Sequence, residues 1–160
     1  MILEKGTKAP DFELFSEPDK KMGLKDYRGK ILIIAFYPAD WSPVCSDELA
    51  IFNESLKLFE QYQASIIGIS VDSKWCHAAF KKARNIHFPL LADFEPKGEV
   101  SRKYQSYNDS KGNSKRSLFV IDASGMVAWS YLSPDSENPG AESILEALEN
   151  LKNQKQKDHE

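Results

Sequence analysis

Cys45 is the residue of this sequence that is best placed to do chemistry. It follows an apolar, β-prone segment at residues 31–37 and a short loop containing Pro38 and Pro43, after which a helical period begins. The first turn of a helix offers free N–H groups and the positive end of the helix dipole, so this position favours a thiolate. A thiolate is a nucleophile, whereas the alternative role for Cys45 is that of a small buried apolar side chain.

The residues around Cys45 favour the reactive role. Ser42 precedes it by three positions, so its hydroxyl can reach the sulfur or a molecule bound beside it, and it can equally cap the helix. Pro38 and Pro43 stiffen the loop and can shield the sulfur from water, besides ending the strand and starting the helix. Disulfide exchange within this turn would need a second cysteine at position 42. A lone thiolate instead suits attack on a small electrophile that leaves the sulfur oxidised.

The periodicity of the sequence predicts a sheet that positions Cys45 just after the end of a strand. Strands are predicted at residues 31–37, 65–71, 117–121 and 126–131, and helices at about 43–62, 73–83, 96–104 and 139–151. Alternation of strand and helix predicts parallel pairing with right-handed crossovers, and the last two strands form an antiparallel hairpin. These elements predict an α/β protein with a thioredoxin-like fold, in which a central mixed β-sheet carries helices on both faces.

Length and charge restrict the class of protein. The 160 residues suit a single domain, predicted to cover residues 1–152, followed by a polar tail at 153–160. The chain has 21 Lys and Arg residues against 24 Asp and Glu residues, so it lacks the basic excess of a nucleic-acid-binding protein. No apolar run approaches the length that spans a bilayer, and no secretory signal is visible. We therefore expect a cytoplasmic protein that binds neither nucleic acid nor a membrane.

The cysteine count excludes further kinds of site. Cys45 and Cys76 are the two cysteines of the sequence, and two are too few for an all-cysteine zinc site. No histidine pair at ligand spacing accompanies either of them, so we expect neither a metal nor an organic cofactor. In a reducing compartment, such cysteines are either inert core residues or redox-active thiols.

The segment PADWSPVC at residues 38–45 resembles the Pro-x-x-x-Thr/Ser-x-x-Cys signature of the peroxiredoxins, the alkyl hydroperoxide reductase / thiol-specific antioxidant family. Serine at position 42 is the less usual form of this signature. Further stretches resemble other blocks of the family in the same order, at residues 6–12, 69–73, 88–93 and 116–122. The resemblance covers nearly the whole chain, from about residue 6 to residue 131.

The resemblance implies a role for each matching residue. Cys45 would attack a peroxide, Ser42 would hydrogen-bond the peroxide oxygens, and Pro38 would limit access of solvent. Arg116 would lie beside the sulfur, and Glu48 would orient it. A guanidinium is always charged and presents several donors, so it would stabilise the thiolate and the charge that develops on the departing oxygen. Without the resemblance, Arg116 would be interpreted as a surface residue at a strand end.

The function implied by the resemblance is that of a thiol-dependent peroxidase, which reduces hydrogen peroxide and organic hydroperoxides through a Cys45 sulfenic acid. Two alternatives belong to other classes. One is a peroxide sensor or relay that passes the oxidation to a partner protein, and the other is a redox-inactive domain that keeps the fold for protein contacts. The expected partners are the peroxide and a reductant, either a thioredoxin-like protein or a small thiol. A homodimer is an expectation from the family alone.

Cys76 follows Cys45 by 31 positions and lies in the next predicted helix. Some members of the family resolve the sulfenic acid with a cysteine farther along this helix, and the sequence has no cysteine near its C-terminus or at position 50. Cys76 therefore either forms an intramolecular disulfide with Cys45, or is a partly buried small residue of an enzyme that uses one cysteine and an external thiol. We adopt the disulfide as the working hypothesis. The neighbouring His77 is expected to be a solvated residue at a helix start.

Overall fold

The strands of the protein form one large mixed sheet and one small ribbon. In the computed structural model, which describes residues 1–158, the strands are β1 (Glu13–Glu17), β2 (Lys20–Gly23), β3 (Ile31–Phe36), β4 (Ala64–Ser70), β5 (Leu90–Ala92), β6 (Tyr107–Asn108), β7 (Asn113–Ser114), β8 (Ser117–Ile121) and β9 (Val127–Leu132). The sheet has the order β2-β1-β5-β4-β3-β8-β9, and β6 pairs with β7. β3, β4 and β5 are parallel, whereas β8 is antiparallel to both β3 and β9. The predicted mixed sheet and hairpin are therefore confirmed.

Helices cover both faces of this sheet, as predicted. They are α1 (Pro43–Glu54), α2 (Leu56–Gln61), α3 (Lys74–Arg84), α4 (Glu99–Lys103) and α5 (Glu142–Asp158), with a short 3-10 helix at Leu24–Tyr27. Side chains of α1, α2, α3 and α5 join the apolar core on one face, and those of α4 and the 3-10 helix join the core on the other. Among the described residues, no helix combines the length and the apolar character needed to cross a membrane.

The central strand β3 is buried along its whole length. Its side chains Ile33 and Ala35 enter one core, while Ile34 and Phe36 enter the other, because successive side chains of a strand point to opposite faces. Burial on both faces explains why the sequence of this strand is continuously apolar. The strand ends where the loop that leads to Cys45 begins.

The helix predicted over residues 43–62 is interrupted at Ser55. α1 ends one residue before Ser55, and α2 begins one residue after it. The Ser55 hydroxyl donates a hydrogen bond of 2.8 Å to the carbonyl of Ile51. A serine that bonds the carbonyl four residues earlier competes with the helical backbone and bends the helix. The apolar periodicity continues across this break and therefore does not reveal it.

Two helices begin later than predicted because a glycine precedes each of them. The sequence places the start of the last helix at Pro139, but Gly140 has a φ of 68°, which lies outside the helical region. The start of the fourth helix is predicted at Pro96, and Gly98 has a φ of 73°. The helical backbone consequently starts beyond each glycine.

The C-terminal end of the chain is more helical than predicted. α5 continues to Asp158, so the predicted polar tail at 153–160 is helical over its described part, and residues 159–160 lie outside the described range. Residues 153–157 are all exposed. They extend the helix without adding to the core.

Candidate active site

Cys45 is the third residue of α1, directly after the loop that follows β3. Pro43 occupies the first helical position, where its missing N–H costs nothing, and the first hydrogen bond of the helix joins Ser46 N–H to the Ser42 carbonyl at 2.9 Å. The earlier N–H groups of the helix, including that of Cys45, have no partner within the helix. The Cys45 side chain is 0% exposed. The sulfur is therefore enclosed by protein at the positive end of the helix.

Arg116 contacts the Cys45 sulfur directly. Its Nη2 donates to Sγ at 3.2 Å, although the two residues are 71 positions apart in the chain. The backbone carbonyl of Asp135 accepts from Nε at 3.2 Å and from Nη2 at 3.0 Å, which fixes the plane of the guanidinium. Burial lowers the pKa of Arg116, but Glu48 and Cys45 beside it outweigh burial and raise its pKa overall. The guanidinium is 2% exposed and aims a charged donor at the thiol.

Glu48 binds the other end of the guanidinium. Its Oε1 accepts from Arg116 Nη1 at 2.6 Å, and both side chains are almost fully buried. Within the described residues, its second oxygen, Oε2, has no hydrogen-bond partner. Burial raises the pKa of Glu48 to about 7, although the Arg116 charge opposes this shift. The predicted proximity of Glu48, Arg116 and Cys45 is therefore present, and the carboxyl group titrates near neutral pH.

Pairing of β3 with β8 brings these residues together. The two strands are antiparallel, and Phe36 at the end of β3 lies opposite Ser117 at the start of β8. Arg116 directly precedes Ser117, while α1 begins seven positions after Phe36. The end of one strand and the start of its neighbour therefore position the guanidinium beside the first turn of α1.

Ser42 and Pro38 lie in the loop before α1, and both are half-buried. Ser42 occupies the position that precedes the helix, but its hydroxyl makes no capping hydrogen bond there. In the part of the chain that the structure describes, no hydrogen bond joins this hydroxyl to the Cys45 sulfur. The hydroxyl is therefore not committed to the helix end, and its role toward a peroxide stays a prediction.

Cys76 lies in the first turn of α3 and is a free thiol, as is Cys45. Its N–H donates to Ser73 Oγ at 3.1 Å, and its sulfur lies 3.9 Å from Asp72 Oδ1. Partial burial, followed by the charges of Asp40 and Asp72, raises the pKa of Cys76 to about 11. Cys76 is thus a protonated thiol in this conformation.

His77 is buried, so the expectation of a solvated histidine is wrong. It is 2% exposed, its Nδ1 lies 2.7 Å from Asp40 Oδ2, and its Nε2 lies 3.0 Å from the carbonyl oxygen of Leu91. A carbonyl oxygen only accepts, so Nε2 carries a hydrogen and donates it to Leu91. The hydroxyl of Tyr37 donates to the other oxygen of Asp40 at 2.6 Å. These groups meet one another's hydrogen-bonding needs at the Cys45 loop, which is the segment at residues 37–42 that leads from β3 to Cys45.

Two residues of the site, Asp135 and Asp40, were not predicted, and they differ in how far a sequence pattern could reveal them. Asp135 acts through its backbone carbonyl, which every residue type carries, so no pattern could identify it. Asp40 stands inside the loop of the signature and is 6% exposed. An acidic residue in so short a loop between a buried strand and a buried helix is itself a signal of a buried hydrogen-bonding partner.

A family match and this arrangement together give the class of the protein. The AhpC/TSA family matches residues 5–130, a range that includes both the helix of Cys45 and Arg116. The chain belongs to this family, the peroxiredoxins. The class that the signature at residues 38–45 predicted is therefore confirmed.

Named relatives agree with the class. Peroxiredoxin Bcp of Bacillus subtilis is 34% identical over 98% of this chain and 100% of that protein. The mitochondrial thioredoxin-dependent peroxide reductase of Drosophila melanogaster is 36% identical over 74% of this chain and 54% of that protein. The crystal structure of peroxidoxin BcpB from Mycobacterium tuberculosis has 29% identity and a TM-score of 0.84, covering 92% of this chain and 97% of that one. These likenesses confirm the thioredoxin-like fold.

Proposed function

We propose that Cys45 is the residue through which this protein acts as a thiol-dependent peroxidase. The peroxidase class follows from the family, and the names of its relatives do not favour the alternative of a sensor. The observation that carries the assignment of Cys45 is the 3.2 Å contact between its sulfur and Arg116 Nη2. A thiol with only a structural role has no need of a charged donor at its sulfur, whereas a reactive thiolate is stabilised by a cation that donates to it.

The proposed reaction transfers one oxygen atom from the peroxide to sulfur. The Cys45 thiolate attacks the OH oxygen of ROOH, the O–O bond breaks, and the sulfur becomes a sulfenic acid while RO⁻ leaves and takes up a proton to form ROH. Arg116 stabilises the thiolate before the reaction and the developing negative charge on oxygen during it. Ser42 is proposed to hydrogen-bond the peroxide, Pro38 to limit solvent, and Glu48 to orient Arg116.

Cys76 is proposed to reduce the sulfenic acid by forming a disulfide with Cys45. Cys76 supports this role through its place in the first turn of α3, in contact with the loop that precedes α1. A disulfide requires Cα atoms within about 7 Å of each other, so we expect a local opening of one helix start. In the alternative cycle, an external thiol reduces Cys45 directly and Cys76 is a spectator.

The proposed reductant is a thioredoxin-like protein or a small thiol. A relative named for its dependence on thioredoxin supports the first choice. The proposed location is the cytoplasm, where such reductants keep thiols reduced. A homodimer is proposed as well, and three large aromatic side chains that are exposed in the monomer, Trp41, Trp75 and Phe94, could contribute to its interface.

The assignment of Cys45 and Arg116 is tested by peroxide consumption in rapid-mixing experiments. We expect Cys45→Ser to abolish turnover. Arg116→Lys should lower the second-order rate constant roughly 100-fold, since lysine cannot donate to both Cys45 and Glu48 in the same fork. Arg102→Lys, at an exposed arginine, is the matched control and should leave the rate unchanged. Full activity of the Cys45→Ser protein would refute the assignment.

The fate of the oxidised sulfur is tested by mass analysis of both cysteines after one equivalent of peroxide. The two-thiol cycle predicts loss of both thiols and a disulfide within one chain, with no dimer by mass. A stable sulfenic acid on Cys45 with Cys76 still free would instead establish the one-thiol cycle.

A further inference from the structure

Asp72 connects the loop that leads to Cys45 to the helix that carries Cys76. Its Oδ2 accepts from the Asp40 backbone N–H at 2.8 Å and from Ser70 Oγ at 2.6 Å. Its Oδ1 lies 3.9 Å from the Cys76 sulfur, which is a long but usable distance for a thiol donor. An ionised carboxylate only accepts hydrogen bonds, so Cys76 contributes its proton to this contact as a thiol.

A second connection holds the same two segments. The Asp40 carboxyl group binds His77 Nδ1 at 2.7 Å, and His77 Nε2 donates to the Leu91 carbonyl in β5. Both ring nitrogens are thus engaged, one by the Cys45 loop and one by the sheet. Trp41 and Phe80 add an edge-to-face contact between the loop and α3, with ring centroids 5.1 Å apart. The first turn of α3 is therefore fixed to the loop on several sides.

The charges that face Cys76 oppose its ionisation. Asp72 Oδ1 lies 3.9 Å from its sulfur, Asp40 adds a second negative charge nearby, and the His77 ring is hydrogen-bonded to Asp40. Partial burial, followed by the charges of Asp40 and then Asp72, raises the pKa of Cys76 to about 11. Cys76 is therefore held as the thiol at neutral pH, whereas the thiolate is the form that attacks.

We propose that Asp72 is a positioning residue that keeps Cys76 protonated and fixed to the Cys45 loop, so that Cys76 attacks oxidised Cys45 only after the hydrogen bond between Asp72 and Asp40 opens. This proposal rests on the proposed resolving role of Cys76. In the step itself, the Cys76 sulfur displaces hydroxide from the Cys45 sulfenic acid and the S–S bond forms. The thiol proton of Cys76 and the departing hydroxide leave as one water molecule, while the Cys76 sulfur is oxidised and the Cys45 sulfur is reduced.

The effect of Asp72 on Cys76 is tested by alkylation in a Cys45→Ser background, where Cys76 is the remaining thiol. With iodoacetamide at pH 8, we expect Asp72→Asn to raise the rate of Cys76 alkylation at least fivefold, because removal of one carboxylate increases the thiolate fraction (roughly tenfold per unit of pKa). Asp19→Asn makes the same change of charge at an exposed turn and is the control. An unchanged or lower rate in a folded Asp72→Asn protein would overturn the proposal.

A second measurement leaves Asp40, Asp72 and His77 unchanged, so its result does not depend on whether the Asp72→Asn protein folds. In the Cys45→Ser protein, the pH at which Cys76 becomes reactive should lie near 11 when folded. In concentrated urea it should lie near 8.5, the value of a free cysteine. Identical profiles in the two conditions would show that neither burial nor the carboxylates raise the pKa of Cys76 in the folded protein, and the proposal would be wrong.

Formation of the disulfide distinguishes the proposed role of Asp72 from the resolving role of Cys76. After one equivalent of peroxide, Asp72→Asn added to the otherwise unchanged sequence should form the Cys45–Cys76 disulfide faster, and slower formation would contradict the proposal. If no disulfide forms in either protein, the resolving role of Cys76 fails, while the alkylation rates still decide whether Asp72 keeps the thiol protonated.

Discussion

At the residue scale, the site holds one cation between two acids. Arg116 binds Cys45 with one nitrogen and Glu48 with another, and all three side chains are almost completely shielded from solvent. A buried group of this kind is neutral when one acid is ionised and carries a net negative charge when both are. Because a net buried charge is unfavourable, protonation of Glu48 favours the negative charge on sulfur.

The stability of the protein should depend on pH through Glu48. Its pKa is raised from 4.5 to about 7 in the folded protein, so the folded state binds this proton more tightly than the unfolded state. Stability is therefore lost as pH rises through this interval, by roughly 3 kcal/mol at most for a shift of this size. Relative to Glu48→Gln, the wild-type protein should become progressively less stable between pH 5 and pH 8 in urea unfolding.

The neighbouring Asp47 supplies the control for this measurement. It lies on the same turn of α1 but is exposed. The free energy of unfolding of Asp47→Asn should therefore change with pH in the same way as that of the wild-type protein. If the free energy of unfolding of Glu48→Gln also changes with pH as the wild-type value does, the Glu48 carboxyl group does not titrate in this interval. The argument that its protonation favours a negative charge on sulfur then fails.

At the element scale, the close approach of β4 to its neighbours depends on a glycine. Gly68 lies opposite Ala35 of β3 and Leu90 of β5. A Cβ atom at this position would lie 2.8 Å from Leu90 Cδ2 and 3.2 Å from Tyr37 Cε1. Since Tyr37 donates to Asp40, packing against this strand also fixes the hydrogen-bonding network of the Cys45 loop.

Gly68→Ala should therefore destabilise the protein by about 1–3 kcal/mol, the usual effect of one extra methyl group in a filled core. Urea unfolding measures this loss. Ser65→Ala, at a half-buried position of the same strand, is the comparison and should change stability by less than about 0.5 kcal/mol. Equal midpoints for the two variants would mean that the strand moves aside without cost.

The longer strands that are buried on both faces were predicted well from periodicity, whereas the three-residue strand β5, although buried, was not predicted. β3 and β8 consist of apolar side chains almost throughout, and such a short continuous apolar run is typical of a strand that is buried on both faces. β1 and β2 were not predicted, because they are short, lie at the edge of the sheet and keep most of their side chains partly exposed, with Ser16 and Gly23 as the buried positions. The break at Ser55 depends on one side-chain hydrogen bond, which no count of apolar residues detects.

At the scale of the whole molecule, α5 closes the core with its first half only. Ile144 and Leu148 are 0% and 1% exposed, whereas residues 153–157 are exposed. Deletion of residues 153–160 should therefore change the free energy of unfolding by less than about 1 kcal/mol. Leu148→Ala should cost about 2–5 kcal/mol, as expected for a leucine removed from a filled core. Thermal and urea unfolding of both proteins check this contrast, and a large loss on deletion would contradict it.

The residues of the candidate site could be predicted from the sequence, but the buried contacts that support them could not. Cys45, Arg116 and Glu48 were predicted from a signature and its later blocks, and the structure places their side chains in contact, while their catalytic roles stay predictions. The burial of His77 was not predicted, since a single histidine near the start of a helix gives the same sequence pattern whether it is solvated or paired. Its partner, Asp40, is 37 positions away and becomes adjacent only when β3 and β4 pair.

The 71 positions between the thiol and its guanidinium have a consequence during synthesis. A ribosome makes Cys45 long before it makes Arg116, and the strand that presents the arginine must still insert against β3. A nascent or prematurely terminated chain lacks the guanidinium beside Cys45, so we expect rapid reaction with peroxide only after β8 has joined the sheet.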